Sequence, residues 1–107
     1  MRYQSITATA LALCGFFSQS SAATYSLKKN SLANCAGNFG DTREYISGTC
    51  YDFYQSDHGV KIERFPDGCT FTIYENKGCN GAKNDFDSGA EKNCIGIQDR
   101  WAYKMNC

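Results

Sequence analysis

Residues 72–89 read TIYENKGCNGAKNDFDSG. The first of them alternate as in a β-strand. Glycine and asparagine then surround a single cysteine, Cys79, which is typical of a turn. The Asn-Asp pair ahead of Ser88 allows a second interpretation, because oxygen-bearing side chains in a loop also bind cations. The stretch is therefore a hairpin, a cation site, or both.

The first 23 residues have the composition of a secretory signal peptide. Arg2 supplies a positive charge, residues 6–17 are mostly apolar, and residues 20–23 (SSAA) are small enough for a cleavage site. The apolar run is shorter than the roughly 20 residues that span a bilayer. We expect cleavage after Ala22 or Ala23 and a secreted, extracellular product. The remainder, residues 24–107, is predicted to form a single cysteine-rich β-domain.

Six cysteines follow the predicted signal, and Cys14 lies within it. An even number in a secreted chain predicts three disulfides, each worth roughly 2–4 kcal/mol in a domain this small. The six are Cys35, Cys50, Cys69, Cys79, Cys94 and Cys107. We expect a Cys69–Cys79 bond, because a hairpin that folds back would bring Cys79 near the interior face that Cys69 occupies. The other expected pairs are Cys50–Cys107 and Cys35–Cys94.

Short runs rich in aromatic and β-branched residues predict an all-β fold. These runs are residues 45–46, 49–54, 60–65, 69–74, 94–97 and 101–105. Alternation in CTFTIY places Cys69, Phe71 and Ile73 on one face, toward the interior. Turn-forming residues separate the runs, and this spacing favours a small disulfide-stapled Greek-key sandwich. No internal repeat of fixed period is evident.

The segment YENKGCNG resembles the folded hairpin of the βγ-crystallin Greek key. In that family an aromatic residue is followed seven positions later by glycine, as Tyr74 is by Gly81, and a second aromatic usually lies two positions before the glycine. Cys79 occupies that second place here. The resemblance implies a βγ-crystallin-like Greek-key domain over residues 50–107.

Residues 84–88 resemble the calcium signature of the same family, which has two Asn or Asp, two variable residues, then Ser or Thr and Ser. Gly89 replaces the final serine. The resemblance implies calcium at Asp85, Asp87 and Ser88. Because Ca²⁺ takes six to eight oxygens, a second loop must supply about half, and residues 24–68 contain no second copy of the signature. Ordinary turn chemistry is therefore favoured, and no cofactor is expected unless calcium binds.

The cysteine spacing resembles that of small secreted cysteine-rich proteins of filamentous fungi. Cys50 and Cys69 open predicted strands, Cys79 lies in GCNG, and Cys107 ends a tyrosine-containing strand. Several proteins of that group are candidate effectors released during plant colonisation, and some have the βγ-crystallin-like fold. The resemblance implies secretion and a stapled β-domain, and it fixes no partner.

Charge and residue types exclude several function classes. Without Arg2, the 11 basic residues become ten against 11 acidic ones, a net charge of −1. Nucleic acids and anionic membranes are therefore not expected partners. His58 is the one histidine and lies in a predicted loop. Together with Glu63 and Arg64 it has the residue types of a ribonuclease, but the local sequence of that family is missing, so no catalytic residues are assigned.

Aromatic residues are the remaining candidates for a binding surface. They are Tyr51, Phe53, Tyr54, Phe65, Phe86, Trp101 and Tyr103. The core interpretation is favoured over an aromatic binding platform, because Leu, Ile and Val are few. We predict a secreted, non-enzymatic, effector-like monomer that binds an extracellular host or competitor molecule, either a protein or a glycan. A killer-toxin-like or antimicrobial protein and a calcium-binding structural protein of the crystallin type are the alternatives.

Overall fold

The computed structural model describes residues 22–107, which contain eight antiparallel strands and one short 3-10 turn. The strands are β1 (Thr24–Asn30), β2 (Arg43–Ile46), β3 (Tyr51–Asp52), β4 (Gly59–Arg64), β5 (Thr70–Asn76), β6 (Asn80–Phe86), β7 (Cys94–Gly96) and β8 (Ala102–Asn106). The 3-10 turn is Ser88–Ala90. Residues 1–21, which hold Cys14 and nearly all of the predicted signal peptide, lie outside the described residues.

The strands form two four-stranded sheets. Sheet 1 has the order β2-β1-β4-β7 and sheet 2 the order β3-β8-β5-β6. The first four strands and the last four strands follow one pattern, in which each half places its third strand, β3 or β7, in the sheet of the other half. The all-β, disulfide-stapled sandwich predicted from the sequence is confirmed, whereas the similarity between the two halves was not evident in the sequence.

The hydrophobic core lies between the sheets. Sheet 1 contributes Tyr25 and Leu27, and sheet 2 contributes Phe71, Ile73 and Met105, all of them at most 2% exposed. The rings of Tyr25 and Phe71 meet across the sandwich with their centroids 6.1 Å apart. The interior position that alternation predicts for Cys69, Phe71 and Ile73 is confirmed.

The sequence pattern does not predict two of the strands, β1 and β6. In β1 the buried residues Tyr25 and Leu27 alternate, but the following Lys28-Lys29 pair hides the periodicity. In β6 every residue except Phe86 is exposed, because β6 is an edge strand without an apolar face to bury. A strand that is exposed on nearly all of its length has no hydrophobic signal to detect.

The β5–β6 hairpin folds back over the outer face of sheet 2. The amide of Gly78 at its tip donates to Asp52 Oδ1 on β3 over 3.1 Å, although β3 lies at the opposite edge of the sheet. Gly81 adopts φ +87°, and a Cβ there would lie 2.6 Å from Asn76 Nδ2. Glycine is therefore required at this position of the fold-back.

The structure pairs Cys35 with Cys94, as expected, and exchanges the partners of the other two expected bonds. The observed bonds are Cys35–Cys94, Cys50–Cys79 and Cys69–Cys107. The prediction of Cys69–Cys79 is wrong, because the seven residues of β5 separate these cysteines. A strand of that length spans about 20 Å, far beyond disulfide reach.

The antiparallel register of sheet 2 explains the pairing of Cys69. Thr70 on β5 lies opposite Asn106 on β8, so the flanking Cys69 and Cys107 meet with their Cα atoms 4.2 Å apart. The expected Cys50–Cys107 bond is therefore wrong as well. Cys79 at the folded hairpin reaches Cys50 instead, just ahead of β3.

Candidate functional site

Two connections meet at one end of the sandwich. Residues 53–58 join β3 to β4, and residues 97–101 join β7 to β8. Because β3 and β7 each lie in the sheet of the other half, both connections cross from one sheet to the other at this end. They run side by side, since the Phe53 amide donates to the Trp101 carbonyl over 2.9 Å and the Ile97 amide donates to the His58 carbonyl over 3.0 Å. We call residues 53–58 and 97–101 the loop face.

The loop face carries two exposed aromatic side chains. Tyr54 is 73% exposed and Trp101 is 38% exposed. The Tyr54 amide donates to Asp57 Oδ2 over 2.8 Å, and the Trp101 amide donates to the Tyr74 carbonyl over 2.8 Å. Both backbones are thus held by hydrogen bonds while the rings face solvent, which is a costly place for large apolar groups and a frequent feature of binding surfaces.

The other aromatic candidates belong to the core. Phe53, Phe65 and Tyr103 are buried, and Tyr51 and Phe86 pack against the core from partly buried positions. The core interpretation is therefore right for these five and wrong for Tyr54 and Trp101. One sequence signal distinguishes Tyr54, because it lies directly before the turn-forming residues QSDHG rather than within a strand.

Two cavities flank Trp101, and together they form what we call the Trp101 groove. The larger holds about 460 Å³ and is lined by Tyr54, Asn76 and Lys77 as well as Trp101. The smaller holds about 280 Å³ and is lined by polar residues of both connections. Gln55 and Trp101 line both cavities. Trp101 is therefore shared by two cavities whose other lining residues are mostly polar.

A third, larger cleft of about 810 Å³ opens beside Tyr54, between β1, β2 and β3. Lys29 lies at its wall, with Nζ 3.7 Å from Asp57 Oδ2 and 5.2 Å from the ring centroids of Tyr54 and Tyr103. An ammonium over aromatic faces is favourable. Lys29 therefore connects sheet 1 to the loop face and steadies Asp57, which in turn holds the Tyr54 backbone.

Burial raises the pKa of both core tyrosine hydroxyls above the ordinary value. The pKa of Tyr103 is raised by loss of solvation and by its neighbour Tyr45. The pKa of Tyr25 is raised by loss of solvation and by Tyr51. Neither group is poised to exchange a proton near neutral pH. These tyrosines are structural, although Tyr103 also lines the large cleft.

The residue types considered for catalysis have separate contacts. His58 Nδ1 lies 2.9 Å from the Ser31 carbonyl, to which it donates. Glu63 forms an ion pair with Lys28, with 3.4 Å between the charged atoms, and Arg64 Nη2 donates to Glu44 Oε2 over 2.7 Å. Glu63 and Arg64 are thus tied to β1 and β2, and neither lines the cavities at the loop face.

The residues proposed for calcium are also engaged in separate hydrogen bonds. Asp85 Oδ1 accepts from the Thr72 hydroxyl over 2.7 Å. Asp87 Oδ1 accepts from the Gly89 amide over 2.9 Å and so caps the 3-10 turn, of which Ser88 is the first residue. Within residues 22–107 no three His, Cys, Asp or Glu side chains are grouped so that they could hold a metal ion. Both carboxylates are therefore used in hydrogen bonds within the chain, and calcium binding at residues 84–88 stays a prediction.

Asn84, the first residue of that signature, has a role at the loop face. Its Oδ1 accepts from Arg100 Nε over 2.8 Å. Because β6 is an edge strand, its polar side chains are free to contact the connection beside β8. The Asn-Asp pair therefore contributes to the architecture of the loop face through Asn84 and to sheet 2 through Asp85.

The chain has no significant match to a protein-family model, to a curated protein or to a solved structure. Three disulfides indicate that it folds in an oxidising environment. No helix in residues 22–107 has the length and apolar character needed to cross a membrane.

Proposed function

We propose that the protein is a secreted, non-enzymatic, effector-like binding protein that recognises an extracellular molecule of a host or a competitor through the loop face. The observation that carries this proposal is the pair of exposed rings, Tyr54 and Trp101, which are held by backbone hydrogen bonds beside three cavities. Ligand sites combine a few aromatic surfaces with convergent polar groups in a concave setting. The loop face has both.

The polar groups of the loop face support binding rather than catalysis. Asp57 accepts the Tyr54 amide and pairs with Lys29, and His58 Nδ1 donates to a carbonyl. These contacts fix the shape of the connection. A rigid surface loses little conformational entropy when it binds, which favours recognition.

The two antiparallel sheets and the folded β5–β6 hairpin support the resemblance to a βγ-crystallin-like Greek-key domain. The three disulfides and the predicted signal peptide support membership among secreted cysteine-rich fungal proteins. In this proposal the sandwich is a scaffold. Its two crossing connections bring Tyr54 and Trp101 together although they are far apart in the sequence.

A capture experiment tests the proposed function. The oxidised protein, immobilised on beads, is incubated with extracellular host or competitor material, and bound protein and carbohydrate are both analysed. We expect the native protein to retain a ligand and Tyr54→Ala to lose most of it, with Ile46→Ala as the matched control because Ile46 is 51% exposed on β2. Equal retention by native protein and Tyr54→Ala would contradict the assignment of the loop face.

A further inference from the structure

The Trp101 groove has the shape of a site for an extended ligand. Trp101 and Gln55 line both the cavity of about 460 Å³ and the cavity of about 280 Å³. A ligand that occupies both cavities would therefore contact Trp101 with consecutive units. Tyr54 offers a second ring within the larger cavity.

The rim of the groove is rich in groups that bond hydroxyls. Primary amides come from Gln55, Asn76 and Gln98, which carry both a donor and an acceptor. Lys77 Nζ lies 5.9 Å from the centre of the Trp101 indole, where it can donate to a group stacked on the ring. Aromatic surface below and mixed donors and acceptors at the edge match a ligand with apolar faces and a hydroxylated perimeter.

The charges around the groove are balanced. Apart from the imidazole of His58, the charged side chains that line the two cavities are Lys77 and Arg100 against Asp57 and Asp99. Arg100 is held in place by Asn84, and Asp57 by Lys29. Because neither sign dominates, the groove has no electrostatic preference for an anionic or cationic ligand.

We infer that the Trp101 groove binds a neutral oligosaccharide of β-linked, gluco-configured pyranose units, laid across the indole. This inference depends on the proposed binding function and names its ligand class. With all ring substituents equatorial, such a sugar presents C–H groups on both flat faces and hydroxyls around its edge. The faces stack on Trp101 and Tyr54, and the edge hydroxyls bond the amides.

The test uses cellohexaose, laminarihexaose and chitohexaose as probes of the oxidised protein. Trp101 is the one tryptophan of the chain, so its fluorescence reports directly on the groove. We expect at least one probe to change this fluorescence saturably, with calorimetry giving the affinity. We expect Trp101→Ala and Tyr54→Ala to weaken binding by about tenfold or more. Ile46→Ala should bind as the native protein does.

Two further measurements separate the inference from its alternatives. Because the ligand is neutral, affinity for the best probe should be unchanged between low salt and 0.5 M NaCl, whereas an α-linked polygalacturonate should not bind. If no neutral probe binds, or if binding survives both Trp101→Ala and Tyr54→Ala in folded protein, the glycan inference is wrong. If at the same time Tyr54→Ala loses a captured extracellular protein, the loop face remains a binding site of another class and the proposed function stands.

Discussion

Tyr103 and Trp101 are two residues apart, yet Tyr103 is 1% exposed and Trp101 is 38% exposed. By alternation both should point to the same face of a strand. Tyr103 lies within β8 and packs on Phe53 with 4.5 Å between ring centroids. Trp101 precedes the first residue of β8 and belongs to the loop face. The comparison of the aromatic core with the loop face shows that similar side chains serve stability in one region and remain available for recognition in the other.

The largest difference between the two regions should appear on truncation of a core ring. Tyr103→Ala removes a buried ring that contacts Tyr51, Phe53 and Phe71. The cavity should lower the free energy of unfolding by about 3–5 kcal/mol. Urea unfolding followed by circular dichroism measures the loss. A loss below about 1 kcal/mol would show that Tyr103 is not part of a packed core.

Removal of the Cys50–Cys79 bond should affect both regions. The double variant Cys50→Ala/Cys79→Ala is expected to lose about 2–4 kcal/mol of stability. It should also weaken ligand binding at the loop face, because this bond holds the hairpin that carries Asn76 and Lys77 to the Trp101 groove.

The matched control is Cys35→Ala/Cys94→Ala, a bond that lies outside the groove lining. We expect a comparable loss of stability and unchanged affinity for the folded variant. Stability and affinity are measured by urea unfolding and calorimetry. Equal loss of affinity in both double variants would mean that the hairpin has no specific role in the groove.

High pH should destabilise the aromatic core. Burial raises the pKa of Tyr25 and Tyr103, so the unfolded chain releases these protons near pH 10 while the folded chain keeps them. Stability is therefore complete below about pH 10, and above it falls by up to about 1.4 kcal/mol per pH unit for each tyrosine. Urea unfolding between pH 8 and about pH 11.5 measures the slope. Tyr25→Phe should reduce the slope, because it removes one of the two buried hydroxyls.

The smallest effect is expected from a single hydroxyl. Tyr25 Oη is buried and has no hydrogen-bond partner among residues 22–107. Tyr25→Phe should therefore stabilise the fold by about 1 kcal/mol at neutral pH, because it removes the desolvation of an unpaired group. Tyr51→Phe is the control, since Tyr51 Oη accepts from the Ile46 amide over 3.0 Å and its loss should destabilise. Destabilisation by both variants, measured as melting temperatures, would contradict the expectation for Tyr25.

The fold was predictable wherever burial leaves a period in the sequence. Strands β4, β5 and β8 coincide with predicted runs because one face of each is apolar. Strand β6 was not predictable, because nearly all of its side chains are exposed to solvent. To predict the cysteine pairs one must know the direction in which the hairpin tip folds, and the local sequence does not contain that information.

The candidate site was harder to predict than the fold. The sequence marks Tyr54 and Trp101 only as members of a set of aromatic residues. Their proximity depends on the exchange of β3 and β7 between the sheets. The role of Asn84 at Arg100 likewise depends on the position of β6 beside the loop face. Contacts between segments that are distant in the chain produce no pattern of residue spacing, so a single sequence does not predict them.

Stability and affinity measured together, for one variant from each region, distinguish the core from the loop face most directly. For the loop face, Tyr54→Ala should change the free energy of unfolding by less than about 0.5 kcal/mol, because the ring is 73% exposed, and should weaken binding of the best hexasaccharide by about tenfold. For the core, Ile73→Val should cost about 1 kcal/mol and leave the affinity unchanged. If Tyr54→Ala binds like the native protein while Ile73→Val loses affinity, recognition does not occur at the loop face.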